Sequence, residues 1–278
     1  MNPTSHYLAC QGRELHCTEW GAQHNEVVVA WHGLARTGRD MDDIAAHLAS
    51  RYRVICPDAL GRGLSQWSPL PDQEYQLSFY AAQALALLDQ LGIAQCHWLG
   101  TSMGGAIGLH AAAGALAGRI QRLVMNDIGP ELAAPAVARI RSYAGSPAAF
   151  ATVGELERYF RTVYQPYGAL TDAQWRRLTE TSVRRLPDGR VTPHYDPAMV
   201  RQFDAHPTDY DQWPAWDALQ IPVLVLRGAH SDLLLPEVAE AMRNRGPRAV
   251  VVTLPDCGHA PALNTPAQFA LVERFFNA

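Results

Sequence analysis

Short, continuous apolar runs alternate along the chain with segments whose apolar residues recur at helical spacing. The runs cover residues 27–31, 52–56, 96–99, 122–126, 223–226 and 250–254. Continuous apolarity is typical of strands covered on both faces. Helices are predicted over about 40–50, 76–91, 236–245 and 265–277, after an opening hairpin over 6–20. Strands that alternate with helices predict an α/β fold with a mostly parallel central sheet and helices on both faces.

This alternation stops between residues 129 and 210. There, proline residues repeatedly break the helical patterns, and aromatic residues are frequent. No apolar run of the core-strand type occurs there. We therefore predict a helical cap at 129–210, inserted into a core domain made of 1–128 and 211–278. Because ligands of open α/β sheets bind at the carboxyl ends of the strands, the cap is expected to cover that edge. Its aromatic residues either line an apolar substrate pocket or form the cap's own core.

Composition narrows the classes of partner. Of the 278 residues, 48% are hydrophobic and 18% charged, with a net charge of −4 and no basic patch, so we expect neither a nucleic-acid nor a membrane partner. The first residues show no basic region followed by an apolar run, so no signal peptide is expected. The odd number of cysteines and their irregular spacing favour reduced, buried thiols in a cytoplasmic protein. They lie at positions 10, 17, 56, 96 and 257.

One stretch, residues 97–105, carries the strongest chemical signal. Its core, Gly100 to Gly104, reads G-T-S-M-G, and it follows an apolar run and precedes a small-residue helix. A strand-to-helix turn of this kind forces the central residue into strained backbone angles and projects its side chain from the top of the sheet. We therefore predict that Ser102 is a nucleophile. The alternative is a glycine-rich turn that carries an ordinary serine.

A serine nucleophile needs a base within hydrogen-bonding reach and an acid that orients the base. His259 lies in a D-x-G-H turn after the last strand and is the predicted base. Asp232, after the strand at 223–226, is the favoured acid, and the chain order Ser102, Asp232, His259 is the one expected for such a turn. Asp127 also follows a strand directly and remains a rival for this role. Asp256 is interpreted as a turn residue of the His259 loop.

The oxyanion formed during acyl transfer needs two hydrogen-bond donors, conventionally backbone amides. The residue after the nucleophile, Met103, supplies one. The second is expected from the loop after the strand at 27–31, where Gly33 lets the backbone approach and the amide of Leu34 is the candidate.

Taken together, these motifs resemble the α/β-hydrolase fold superfamily. The resemblance rests on H-G at 32–33, D-x-x-G-x-G-x-S at 58–65, G-x-S-M-G-G at 100–105, G-x-x-S-D at 228–232 and G-H at 258–259. It implies a nucleophile at Ser102, a base at His259, an acid at Asp232 and an oxyanion hole at Leu34 and Met103. It implies no metal, no organic cofactor and no residues that bind either.

The resemblance leaves the reaction open, because the superfamily hosts many activities on one scaffold. We expect a serine hydrolase that cleaves small or medium carboxylic esters or lactones through an acyl-enzyme intermediate. The alternatives are a carbon–carbon bond hydrolase of ring-cleavage products and a non-catalytic ligand receptor. A carbon–carbon bond hydrolase would need cationic groups to hold a dienoate. Four arginines could supply them, although each is interpreted as surface-exposed: Arg36, Arg139, Arg141 and Arg161. The choice between monomer and homodimer stays open.

Overall fold

The computed structural model describes residues 2–278 and places ten strands in two sheets. In chain order the strands are β1 (Thr4–Cys10), β2 (Arg13–Trp20), β3 (Val27–Trp31), β4 (Arg53–Pro57), β5 (Cys96–Thr101), β6 (Ile120–Asn126), β7 (Val183–Arg185), β8 (Val191–Pro193), β9 (Val223–Gly228) and β10 (Val250–Leu254). The main sheet has the order β1-β2-β4-β3-β5-β6-β9-β10. The pairs β1–β2 and β2–β4 are antiparallel, and all the others are parallel.

Eleven α-helices accompany the strands within the described residues. They are α1 (Asp42–Leu48), α2 (Pro71–Glu74), α3 (Leu77–Gln90), α4 (Met103–Ala113), α5 (Ala134–Ala144), α6 (Val153–Val163), α7 (Asp172–Glu180), α8 (Gln202–Ala205), α9 (Trp213–Ala218), α10 (Pro236–Asn244) and α11 (Pro266–Asn277). Short 3-10 helices cover Gly38–Met41, Gln165–Tyr167 and Pro197–Arg201. The predicted α/β class, the apolar strands and the long helices are confirmed.

The continuous apolarity of the strands follows from helices on both faces of the sheet. In β3, the side chain of Val29 packs into a core shared with α3, α4 and α10, whereas that of Val28 packs into a core shared with α1 and α11. Successive strand residues point to opposite faces, so each position is buried against one layer or the other. This layering leaves the carboxyl ends of the parallel strands as the edge where loops converge.

The segment between β6 and β9 carries α5 to α9 and has an aromatic cluster of its own, which includes Phe160, Tyr164 and Trp175. It also contains a small antiparallel hairpin, β7–β8, that the sequence pattern did not predict. Each strand of this hairpin has only three residues, too few to show a period. We keep the name cap for residues 129–210, the range predicted from the sequence.

The five cysteines are all buried, and none forms a disulfide within the described chain. Burial raises the pKa of Cys10 to about 11 and that of Cys17 to about 12. Thiols that hold their protons so firmly are poor nucleophiles. Between residues 2 and 278, no helix combines the length and apolarity needed to cross a membrane.

Candidate active site

Ser102 stands between the end of β5 and the start of α4 in a strained conformation. Its φ of 51° and ψ of −118° lie outside the usual regions for a non-glycine residue. The turn is possible because Gly100 and Gly104 carry no Cβ. A Cβ at Gly100 would lie 2.2 Å from the carbonyl carbon of Gly104, and a Cβ at Gly104 would lie 2.3 Å from the carbonyl oxygen of Trp31. Both positions therefore require glycine, and the predicted strand–turn–helix arrangement is present.

His259 lies beside Ser102, on the loop that follows β10. The Ser102 Oγ and the His259 Nε2 are 2.9 Å apart, and the His259 Nδ1 lies 2.8 Å from the Asp127 Oδ2. The carboxylate can only accept a hydrogen bond, so the proton of the neutral imidazole belongs on Nδ1. The Nε2 is then free to accept the hydroxyl proton of Ser102. The three side chains form one continuous hydrogen-bonded relay.

Asp127 follows β6 directly, and the register of the sheet brings it to Ser102. Thr101 pairs with Asn126, so the next residues of both strands lie side by side. The Asp127 carboxylate is completely buried. It also accepts hydrogen bonds from the Gly228 amide at 2.7 Å and from the Ser231 hydroxyl at 2.5 Å. These donors fix the carboxylate in the orientation that meets His259.

Asp232, the acid favoured from the sequence, lies elsewhere, so the prediction is corrected to its rival Asp127. The Asp232 side chain is 49% exposed and forms two hydrogen bonds of 2.9 Å with Arg139 of α5. It comes four residues after the end of β9, far enough for the loop to turn outward. Its neighbour Ser231 points inward instead and donates to Asp127.

The loop after β3 passes close to Ser102, as the sequence predicts. A Cβ at Gly33 would lie 3.6 Å from the Ser102 Cβ. Among the described residues, neither the Leu34 amide nor the Met103 amide donates a hydrogen bond to another protein group. Both amides are therefore free of protein acceptors, and the Met103 amide lies at the positive end of the α4 dipole.

His32 holds this loop in place from below. Its Nδ1 is 2.6 Å from the Gly33 carbonyl oxygen, and its Nε2 accepts a hydrogen bond of 2.9 Å from the Ala59 amide. Burial lowers the pKa of His32 to about 4, so the ring is neutral at pH 7. A neutral ring with its proton on Nδ1 satisfies both partners.

Two small cavities lie next to each other at this site. The first, of about 30 Å³, is lined by Ser102, His259 and residues of the loop after β3 and of the cap. The second, of about 50 Å³, shares several of the same walls. The shared residues are Gly33, Arg36, Thr101, Tyr167 and Ala260. Ser102 and His259 are both only partly buried, so the reacting atoms lie in the wall of a small cavity that solvent can reach.

The cap contacts the His259 loop through its backbone. The Gly258 amide donates to the Pro166 carbonyl at 2.7 Å, and the Ala262 amide donates to the Tyr167 carbonyl at 3.1 Å. Both acceptors belong to the 3-10 helix Gln165–Tyr167. The roof of the cavity is therefore joined to the loop on both sides of His259.

Arg36 departs from its predicted surface position, because only 3% of it is exposed. It lines both cavities, and its guanidinium forms a two-point ion pair with Asp40. An Arg–Asp pair four residues apart is visible in the sequence, but its burial under the cap depends on tertiary packing. The other three candidate arginines are at least one-third exposed, and each pairs with a carboxylate: Arg139, Arg141 and Arg161.

The comparisons with known proteins agree with this geometry. A model of the alpha/beta hydrolase family matches residues 27–271. A 3-hydroxybutyrate-oligomer hydrolase of Cupriavidus necator is 40% identical over 269 residues, which span 93% of this chain and 91% of the relative. An N-formylmaleamate deformylase of Pseudomonas putida is 27% identical over 91% of this chain and 88% of its own length.

A solved structure extends the likeness to three dimensions. An alpha/beta hydrolase from Novosphingobium aromaticivorans superposes with a TM-score of 0.87 and 34% identity, covering 99% of this chain and 98% of the other. The strand order, the turn at Ser102 and these matches lead to one conclusion: the chain belongs to the alpha/beta hydrolase family and is a hydrolase.

Proposed function

We propose that the protein is a serine hydrolase that cleaves carboxylic esters through an acyl-enzyme intermediate. The observation that carries the proposal is the relay from the Ser102 Oγ through His259 to the buried Asp127, with hydrogen bonds of 2.9 and 2.8 Å. A serine hydroxyl is a weak nucleophile near neutral pH, and a base at this distance is what activates it.

The first half of the reaction uses Ser102 and His259. The Ser102 Oγ attacks the ester carbonyl while the His259 Nε2 accepts its proton, and Asp127 stabilises the resulting imidazolium. The carbonyl oxygen becomes an oxyanion, which accepts hydrogen bonds from the amides of Leu34 and Met103. As the carbon–oxygen bond of the ester breaks, His259 returns the proton to the departing alcohol.

The second half repeats the chemistry with water. His259 removes a proton from a water molecule, which attacks the acyl-enzyme and forms a second oxyanion on the same two amides. Collapse of this intermediate returns the proton to the Ser102 Oγ and releases the carboxylic acid. Asp127 keeps the proton on His259 Nδ1 throughout, so one imidazole serves as base and then as acid in each half.

The substrate class comes from the relative that shares 40% identity over 93% of this chain. Its name specifies oligomers of 3-hydroxybutyrate, in which the hydroxyl of one unit is esterified by the carboxyl of the next. Such esters fit the proposed chemistry, so we propose short 3-hydroxybutyrate oligomers as substrates. Cleavage of carbon–carbon bonds remains the alternative from the sequence, and a ring-cleavage dienoate belongs in the same substrate panel.

The test combines substrates with one substitution. The purified protein is expected to hydrolyse p-nitrophenyl butyrate and the linear 3-hydroxybutyrate dimer and trimer, and to react covalently with a fluorophosphonate. Ser102→Ala should lower kcat by about a millionfold and abolish labelling. The matched control Ser78→Ala changes an exposed serine at the start of α3 and should leave both signals intact. Turnover of the dienoate without any ester hydrolysis would contradict the proposal.

A further inference from the structure

The guanidinium of Arg36 has one nitrogen without a protein partner. The Nε and Nη2 atoms donate to the two carboxylate oxygens of Asp40 at 2.6 and 2.7 Å, and the Nη2 also donates to the Ser182 hydroxyl at 2.8 Å. The Nη1 is buried and has no hydrogen-bond acceptor among the described residues. A buried donor without an acceptor costs free energy, and at the wall of a cavity such a donor is a candidate to bind a ligand.

Arg36 lies at the wall of the cavity that contains Ser102 and His259, and it comes from the same loop as Leu34. Its Cζ lies 5.3 Å from the ring centre of Phe160 and 4.7 Å from that of Tyr164. These aromatic contacts with the cap, together with the Asp40 pair, fix the guanidinium at the wall of this cavity.

The charge balance indicates what kind of acceptor the Nη1 meets. Asp40 already compensates the positive charge of Arg36, and its own side chain is only 15% exposed. A substrate carboxylate would add an uncompensated negative charge to a buried pair, which is unfavourable. A neutral oxygen can accept the hydrogen bond without that cost.

We propose that the Arg36 Nη1 binds a neutral oxygen on the acyl chain of the substrate, namely the hydroxyl or ester oxygen of a hydroxyacyl unit. This assignment rests on the proposed ester hydrolysis. We assign the oxygen to the acyl side because the acyl group stays bound to Ser102 through both half-reactions, whereas the alcohol leaves between them. Arg36 thus selects oxygenated over plain acyl chains.

The test compares kcat/KM for p-nitrophenyl 3-hydroxybutyrate and p-nitrophenyl butyrate, each divided by its rate of hydrolysis by hydroxide. The wild-type protein is expected to prefer the hydroxy ester by about ten- to a hundredfold, the effect of one hydrogen bond from a charged donor. Arg36→Lys keeps a charge beside Asp40 but lacks the Nη1, and should bring the ratio close to one. A wild-type ratio near one would overturn the inference even if every Arg36 variant failed to fold.

Arg139→Met is the matched control. Arg139 lines the same cavity, but its side chain is 43% exposed, and its Nε and Nη2 atoms donate to Asp232. Its replacement should leave the preference for the hydroxy ester unchanged. Loss of the preference in Arg139→Met but not in Arg36→Lys would transfer the role to Arg139 and contradict the assignment.

A third substrate tests the charge of the acceptor. p-Nitrophenyl hydrogen succinate carries a carboxylate on the acyl chain and should be no better than the butyrate ester. If it surpassed the hydroxy ester and lost that advantage in Arg36→Lys, the neutral acceptor would be wrong. Hydrolysis of butyrate with no preference would refute the role of Arg36 alone, whereas absence of all ester hydrolysis and of fluorophosphonate labelling would refute the proposed function.

Discussion

Replacement of Asp127 by asparagine should disable the relay while the fold is preserved. The Oδ1 of Asp127 accepts from the Gly228 amide, and the Oδ2 accepts from Ser231 and His259. An asparagine that keeps its oxygen toward Gly228 turns an NH₂ group toward His259. The imidazole must then accept at Nδ1 and carry its proton on Nε2, so that it faces Ser102 as a donor and cannot act as the base.

The expected size of the effect follows from this change of tautomer. The same substitution in a serine-protease triad lowers kcat by about 10⁴, which corresponds to about 5.4 kcal/mol of transition-state stabilisation. Asp232→Asn, by contrast, removes only an exposed ion pair with Arg139. Such pairs contribute about 0–1 kcal/mol to the stability of the fold. Because Asp232 lies outside the relay, the kcat of Asp232→Asn should stay within about threefold of the wild-type value.

The assay measures kcat for p-nitrophenyl butyrate and the melting temperature of both variants. Asp127 has a φ of 56°, a conformation that asparagine adopts readily, so Asp127→Asn should unfold cooperatively. Asp127 is not the acid of the relay if Asp127→Asn retains more than about a tenth of wild-type kcat, or if Asp232→Asn loses as much activity as Asp127→Asn.

Two further predictions concern the framework around the site. Gly100→Ala should yield little folded protein, because its Cβ would lie 2.2 Å from backbone atoms of Gly104. In the control Gly154→Ala, within α6, the nearest atom is 3.9 Å from the new Cβ, so the free energy of unfolding measured in urea should rise by about 0.5–1 kcal/mol. Equal yields of the two folded variants would contradict the steric requirement for glycine at position 100. Burial lowers the pKa of His32 from 6.5 to about 4, so the unfolded chain binds a proton that the folded chain excludes. The contribution of neutral His32 to the free energy of unfolding is therefore complete above pH 6.5 and falls by about 3 kcal/mol as the pH drops to 4. In His32→Gln, the amide oxygen can accept from the Ala59 amide, and the free energy of unfolding should fall less steeply as the pH drops. If the free energy of unfolding of the variant and of the wild type changed in parallel with pH, His32 would be excluded as a source of the acid sensitivity.

The sequence alone pointed to Ser102 and His259, which the structure brings within 2.9 Å of each other, because each lies next to a strand end that the hydrophobic pattern and the glycine spacing define locally. The acid depended on a non-local quantity, the register between strands. Thr101 pairs with Asn126, so Asp127 is the residue level with Ser102. Asp127 and Asp232 both fit the chain order Ser, Asp, His, so that order could not choose between them. The position of Asp127 directly after the strand that follows the serine strand was the available signal.

The burial of polar residues was the second feature that the sequence could not predict. Arg36 is hydrophilic in every sequence scale, yet the cap rings of Phe160 and Tyr164 cover it. The hairpin β7–β8 was missed for another reason, because three-residue strands show no periodicity. Its turn residues, Pro187-Asp188-Gly189, were nevertheless a readable turn signal.

The two backbone hydrogen bonds from the His259 loop to the cap constrain how such proteins can be diversified. Gly258 and Ala262 donate to Pro166 and Tyr167, so the imidazole is positioned partly by the layer of chain that shapes the substrate pocket. A cap transplanted from a relative would bring its own anchor points and shift the histidine with them. Chimeras are therefore best designed with residues 165–167 and 257–262 exchanged as one cassette, so that specificity and proton transfer are inherited together.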